Sequence, residues 1–156
     1  MATTTSGSGT ASTVIDRSPD EVWAAIADVT RMGEWSPECL AGRWADGADG
    51  PAVGAKFEGD NAAKIGGRTV KKWTTTSEVT VCDPGKRFEF VADGLTTWRY
   101  DFEAAGSGTR IIESFKYEPK GFTGFVYETL MRRSKSMTKG MEGTLARLKT
   151  ALETVA

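Results

Sequence analysis

"TTWRYDFEAAGSGTRIIESFKY", residues 96–117, alternates in two runs around a glycine-containing break. In the first run Trp98, Tyr100 and Phe102 fall on one side, with Thr97, Arg99 and Asp101 on the other. In the second, Ile111, Glu113, Phe115 and Tyr117 share a side. A two-residue period marks strands with one covered face and one wet face. The intervening "AAGSG" suits a tight hairpin turn. An antiparallel sheet is therefore the frame on which the rest of the chain must be placed.

Working back from this hairpin, the same period recurs. "KRFEFVA" sets Phe88 and Phe90 on one face. "TVKKWTTTSEVTV" groups Trp73, Thr75, Ser77, Val79 and Val81 against Val70, Lys72, Thr74, Thr76, Glu78 and Thr80. "GAKFEGDNAAKIGG" carries a weaker strand signal, with Phe57 its one large apolar side chain. Turn clusters at "ADGADGPAVG", "DPGK" and "ADG" separate these runs, as in a meander. Working forward, the chain has no proline from Phe122 to Glu153. Phe122, Val126, Leu130, Met137, Met141, Leu145, Leu148 and Leu152 form a stripe at three- and four-residue steps, which predicts one helix of roughly 45 Å. A helix of that length needs a broad surface to cover, and the sheet supplies it.

Near the start, a short strand "STVID" is followed by "SPDEVWAAIADV". Ser18 is placed to cap a helix, Pro19 to occupy its first position, and Asp20 and Glu21 its first turn. Val22, Trp23, Ile26 and Val29 then recur at helical spacing, so Trp23 should be core. A second short helix or turn over Thr30–Glu34 leads to Trp35, and Pro37 stops any helix from continuing. The fold class expected is α+β: a curved antiparallel sheet of about seven strands wrapped around a long C-terminal helix, with two short helices after the first strand. Residues 1–11 are rich in Thr, Ser and Gly and read as a disordered lead-in, with a single domain over 12–156.

The chain has 156 residues and a formal net charge of −1, so no global attraction to nucleic acid or anionic membrane follows. It lacks histidine altogether, which excludes triads with a histidine base and histidine-containing zinc sites. Its two cysteines, Cys39 and Cys82, make neither a disulfide framework nor a CxxC metal site. No phosphate-binding glycine loop is present, and neither a cofactor nor a metal is expected. The N-terminus has no secretory pattern, so a cytoplasmic location and no stable membrane insertion are expected.

Taken together, "IDRSPDEVWAAIADVTRMGEWSPE", "VGAKFEG", "KKWTTTSEVTVCDPGKRFEFV", "TTWRYDFEAAGSGTRIIESF" and the closing helix resemble the SRPBCC superfamily, also called START-like or Bet v 1-like. More narrowly, the chain is similar to the polyketide cyclase/dehydrase and lipid transport group. The resemblance implies a helix-grip fold with an apolar cavity between sheet and C-terminal helix. It implies binding, for storage or transport, of a hydrophobic small molecule such as a lipid or polyketide. A minority of such proteins are enzymes, and a polyketide cyclase or dehydratase in the same cavity is the alternative. No catalytic motif carries over onto a residue of this chain. The expected state is a monomer or weak homodimer.

Candidate ligand contacts are then Trp35, Ser36, Phe57, Trp73, Phe88, Phe90, Trp98, Tyr100, Phe115, Tyr117, Met137 and Met141. Each aromatic of this set also has a core reading, and the pattern leaves both open for Trp73, Trp98, Tyr100 and Phe115. Trp35 is either a lid at the cavity mouth or a plug at the end of the core, with Ser36 a hydrogen-bond donor at the rim. Gly140 and Gly143 in the long helix either allow close packing or leave room for a ligand beside adaptable methionines. Glu113 is the one carboxylate on an apolar strand face. Pointed inward it would have a raised pKa and become, with Tyr100, a candidate acid or base. The alternatives are an ion pair with Arg99 or Arg110, or a solvated strand end.

Overall fold

The computed structural model describes residues 2–5, 7–117 and 124–154, with side chains throughout these except at Thr5 and over 124–130. Phe122 thus lies outside the described residues, as do the side chains of Val126 and Leu130. In chain order the elements are β1 (Ala2–Thr5), β2 (Ser8–Ile15), α1 (Pro19–Ala27), a single 3-10 turn (Val29–Arg31), α2 (Met32–Trp35), β3 (Cys39–Ala45), β4 (Lys56–Ile65), β5 (Arg68–Asp83), β6 (Arg87–Ala92), β7 (Thr96–Ala105), β8 (Gly108–Tyr117) and α3 (Gly124–Thr154). The strands form one antiparallel sheet in the order β1-β2-β8-β7-β6-β5-β4-β3. Its inner face is covered by α3, which runs chiefly over β1 and β2 and touches α2. This is the α+β helix-grip arrangement expected, with eight strands among the described residues instead of about seven.

The extra strand corrects the reading of residues 1–11. Ala2–Thr5 pairs with Ser8–Ala11, and β2 continues to Ile15 along β8. The segment lacks large apolar side chains, but its threonines suit a pleated backbone. Gly9 shows why small residues were needed there. A Cβ at Gly9 would overlap Thr138 Oγ1 of α3 and stand 2.7 Å from the Phe115 ring. Helix and sheet meet at that point, and the Gly7 N–H donates to Ser134 Oγ of α3 at 2.9 Å.

Helix α1 begins as its sequence dictates. Ser18 Oγ accepts from the Glu21 N–H, and the Glu21 carboxylate accepts in return from the Ser18 N–H, with Pro19 in the first turn. Trp23 donates from Nε1 to the Arg87 carbonyl at 3.0 Å and meets Phe88 edge-on at 6.3 Å. Its core placement ties α1 to β6.

The pairing registers shift at Cys39/Ala41, at Ala63/Lys64 and at Val79/Val81, and the last of these changes the phase read from the sequence. Val79 pairs with Phe90, but Val81 pairs with Glu89 and Cys82 with Phe88. The extra residue reverses the alternation, so Cys82, not Val81, continues the inner row. The weak signal over 54–67 resolves as a full strand, β4, pairing with both β3 and β5.

In α3 a methyl group at Gly143 would meet nothing within 4 Å, and one at Gly140 only Pro37 Cγ at 3.8 Å. Neither glycine is demanded by close packing among the described residues. Gly143→Ala should therefore stabilise the chain by about 0.5–1 kcal/mol through helix propensity. Chemical denaturation measures this directly; an unchanged or lower midpoint would mean that the space beside Gly143 matters to the fold.

Candidate functional site

The inner face of the sheet carries a run of rings. The run begins at β3, where Trp44 meets Phe57 at 5.8 Å, and Phe57 meets Phe90 edge-on at 4.9 Å. Phe90 stacks with Tyr100 at 6.5 Å, and Trp98 lies 5.5 Å from Phe115. Phe57, Phe88, Phe90, Tyr100 and Phe115 are buried, as are Met137 and Met141 of α3. Trp73, Trp98 and Tyr117 share that face but are only half-buried. The face thus grades from a closed aromatic floor to a more open side.

In the midst of these rings sits a carboxyl group. Glu113 is 2 % exposed and is the register partner of Tyr100 across β7 and β8. The Tyr100 hydroxyl donates to Glu113 Oε2 at 2.7 Å. Glu113 Oε1 is buried and has no hydrogen-bond partner among the described residues. Neither arginine expected as a counter-ion reaches it. Arg99 lies on the outer face, where it donates to Asp101 at 2.8 Å, and Arg110 is exposed. Burial pushes the Glu113 carboxyl up to about 8, against a smaller lowering by the Tyr100 hydrogen bond. Burial and the adjoining Glu113 push the Tyr100 phenol well above 10. At neutral pH the pair is an uncharged acid and an uncharged phenol, so an acidic proton is held in a dry, aromatic setting.

A second polar group on the same face was not foreseen. Asn61 is buried on β4, opposite Cys39 on β3 and Trp73 on β5. Its amide donates to the Gly59 carbonyl at 3.1 Å and to Thr75 Oγ1 at 3.2 Å. Cys39 donates from Sγ to the Ala41 carbonyl at 3.4 Å, and burial raises its thiol pKa. The strand phase set by Phe57, two residues before Gly59 and four before Asn61, is the sequence signal that points to an inward Asn61. Unlike Glu113, Asn61 has partners for its amide donor within the sheet.

Trp35 is buried, and Ser36 is engaged in the local turn. Trp35 is 3 % exposed and belongs to the core, with the Arg31 guanidinium 4.8 Å from its ring centre. Ser36 Oγ accepts from the backbone N–H groups of Glu38 at 3.3 Å and Cys39 at 3.0 Å, fixing the turn at Pro37. An open surface hollow of about 490 Å³ lies elsewhere, in the β3–β4 connection between Asp46 and Lys56, and no aromatic side chain lines it. Among the described residues no group of three Cys, Asp or Glu side chains is placed to hold a metal ion.

The family described as polyketide cyclase/dehydrase and lipid transport matches residues 6–153. The chain belongs to that family. Among solved structures it is similar to the polyketide-cyclase-like protein Cgl2372 from Corynebacterium glutamicum, at 34% identity over 96% of this chain and 93% of that one, with a TM-score of 0.66. Protein Ms6760 from Mycobacterium smegmatis shares the fold at 15% identity and a TM-score of 0.71, covering 99% of this chain and 97% of that one. NE0264 from Nitrosomonas europaea does so at 13% identity and 0.71, over 94% of each chain. A search of the curated proteins found no match. Among the described residues of this family member, no helix is long and apolar enough to cross a membrane.

Proposed function

We propose that the chain binds an uncharged, mostly hydrophobic small molecule between the inner sheet face and α3, for storage or transport, with Glu113 as its polar anchor. The observation that carries this reading is Glu113 Oε1, a buried polar atom without a partner among the described residues at the centre of an aromatic face. An atom so placed is costly unless something bonds to it. With the carboxyl protonated, it offers a hydrogen-bond donor to a ligand acceptor such as a carbonyl oxygen, while the rings take up the apolar body. Membership of the polyketide cyclase/dehydrase and lipid transport family supports the ligand class. The free thiols Cys39 and Cys82 fit a reducing, cytoplasmic setting.

Native mass spectrometry of purified protein, followed by uptake of a long-chain methyl ketone, tests the proposal. Retention or uptake of the apolar molecule is expected, with affinity about tenfold lower in Glu113→Leu as one buried hydrogen bond is lost. A wild-type chain that takes up neither the ketone nor any other apolar molecule would overturn it. The same carboxyl favours one alternative. A proton held near pH 8 beside a phenol suits general acid catalysis, as in a cyclisation or dehydration. Conversion of a β-hydroxyketone to the enone by the wild type, lost in Glu113→Gln, would identify an enzyme.

A further inference from the structure

The β4–β5 hairpin reaches beyond its neighbours. Strand β3 pairs with β4 only as far as Asn61, and β6 pairs with β5 only from Ser77. Residues past these points form a two-stranded arm, in which 64–72 are all exposed. The arm turns at Gly66 and Gly67, both at positive φ (58° and 80°), as a tight two-residue hairpin loop requires.

Its composition is one-sided. Between Asp60 and Glu78 the chain has no acidic residue, but it has Lys64, Arg68, Lys71 and Lys72. A chain with a net charge of −1 therefore concentrates four cations on one projection. Two aliphatic side chains share it, Ile65 at 72 % exposed and Val70 at 58 %. At the arm's root Trp73 lies on the inner sheet face, with Lys71 Nζ 5.6 Å from its ring centre. Cations alone would serve to discourage edge-to-edge pairing of the strands. Exposed Ile65 and Val70 work against that role, because they make the projection stickier.

We propose that the arm over residues 64–72 is a docking surface for an anionic lipid bilayer. Lys64, Arg68, Lys71 and Lys72 supply attraction to acidic headgroups, which is felt within about a Debye length of the surface. Ile65 and Val70 supply apolar contact just below the headgroups, and Trp73 an indole suited to that boundary. Aliphatic tips distinguish this partner from a nucleic acid, whose phosphates would engage the cations and leave Ile65 and Val70 in water. Docking by this arm places the half-buried Trp73 side of the inner face towards the lipid. The inference does not depend on whether a ligand is held at Glu113.

Co-sedimentation of the full chain with vesicles tests it, using phosphatidylcholine mixed with phosphatidylglycerol against phosphatidylcholine alone. Binding to the acidic vesicles is expected, weakening as salt rises. Replacing two cations, Arg68→Ser with Lys72→Ser, should weaken it roughly twenty-five-fold, at about fivefold per cation. Ile65→Ser with Val70→Ser should weaken binding while leaving its salt dependence in place. These positions are exposed, and circular dichroism confirms that each variant is folded. Equal binding to both vesicle types, no binding to acidic vesicles at low salt, or wild-type binding by the two-cation variant would each overturn the proposal. So would tighter binding to duplex DNA or polyglutamate than to the acidic vesicles.

Discussion

Stability of the wild-type chain is expected to fall by roughly 5 kcal/mol as pH rises from about 4.5 to about 8, and Glu113→Gln to remove that slope. The sign follows from which state holds the proton. Unfolded, Glu113 loses its proton near 4.5; folded, burial keeps it on until about 8. Between these values the folded chain binds one more proton than the unfolded chain, so each rise in pH favours unfolding. The contribution is complete below 4.5 and gone above 8. At the acid end Asp101 acts in the opposite sense. Burial tends to raise its carboxyl, but hydrogen bonds from Arg99 and Arg87 outweigh this and hold it below the usual value. That stability is lost as pH falls through the folded value, so the maximum should lie on the acid side of neutrality.

Glutamine at 113 keeps an oxygen for the Tyr100 hydroxyl and puts an uncharged amide where Oε1 stands. Leaving that amide without a partner costs about 1–3 kcal/mol at pH 5, where the wild-type acid is neutral. At pH 9 the variant should be the more stable, because it has no charge to bury. Urea denaturation at pH 5, 7 and 9 would show the two stability curves crossing; parallel curves would mean that Glu113 is not held neutral. Tyr100→Phe adds an internal check. Its hydrogen bond lowers the Glu113 pKa, so its removal should carry the wild-type slope to still higher pH.

That Glu113 shares a strand face with Ile111 and Phe115 was legible; that this face is the buried one is set by the fold. The partner of Glu113 was not legible. Tyr100 was singled out on its own strand, but only the β7–β8 register brings the two together, and register is a property of two strands that neither one encodes alone. Arg99 and Arg110 are the cations expected to pair with Glu113, but strand phase puts Arg99 outside with Asp101. Val81 shows a different limit. A bulge is one residue of misfit between partners, and alternation within β5 has no mark of it. Strand β1 leaves little mark in the sequence, because a short threonine-rich edge strand with little to bury has almost no hydrophobic period. Trp35 was recognisable as an aromatic that must pack somewhere, but its burial depends on α2 meeting α3, a contact between residues more than a hundred positions apart.

Trp35→Ala decides between the two readings of that residue, and the expected result is a loss of about 3–5 kcal/mol of stability. The ring is 3 % exposed, so truncation opens a cavity instead of clearing a mouth. Its neighbours have little freedom to collapse into the space. The Trp35 carbonyl accepts from Arg147 Nη1 of α3 at 3.5 Å, the Ser36 N–H donates to the Met32 carbonyl, and Ser36 Oγ pins the following turn. Arg31 would lose the ring beneath its guanidinium while keeping its ion pair with Glu34 at 2.9 Å. Trp35→Phe should recover more than half of the loss, because most of the apolar volume is restored. A lid makes the opposite pair of predictions: stability near wild type in Trp35→Ala, and ketone affinity sharply reduced. Denaturation midpoints and ketone uptake measured on the same preparations separate the two, since a plug moves the first and a lid only the second.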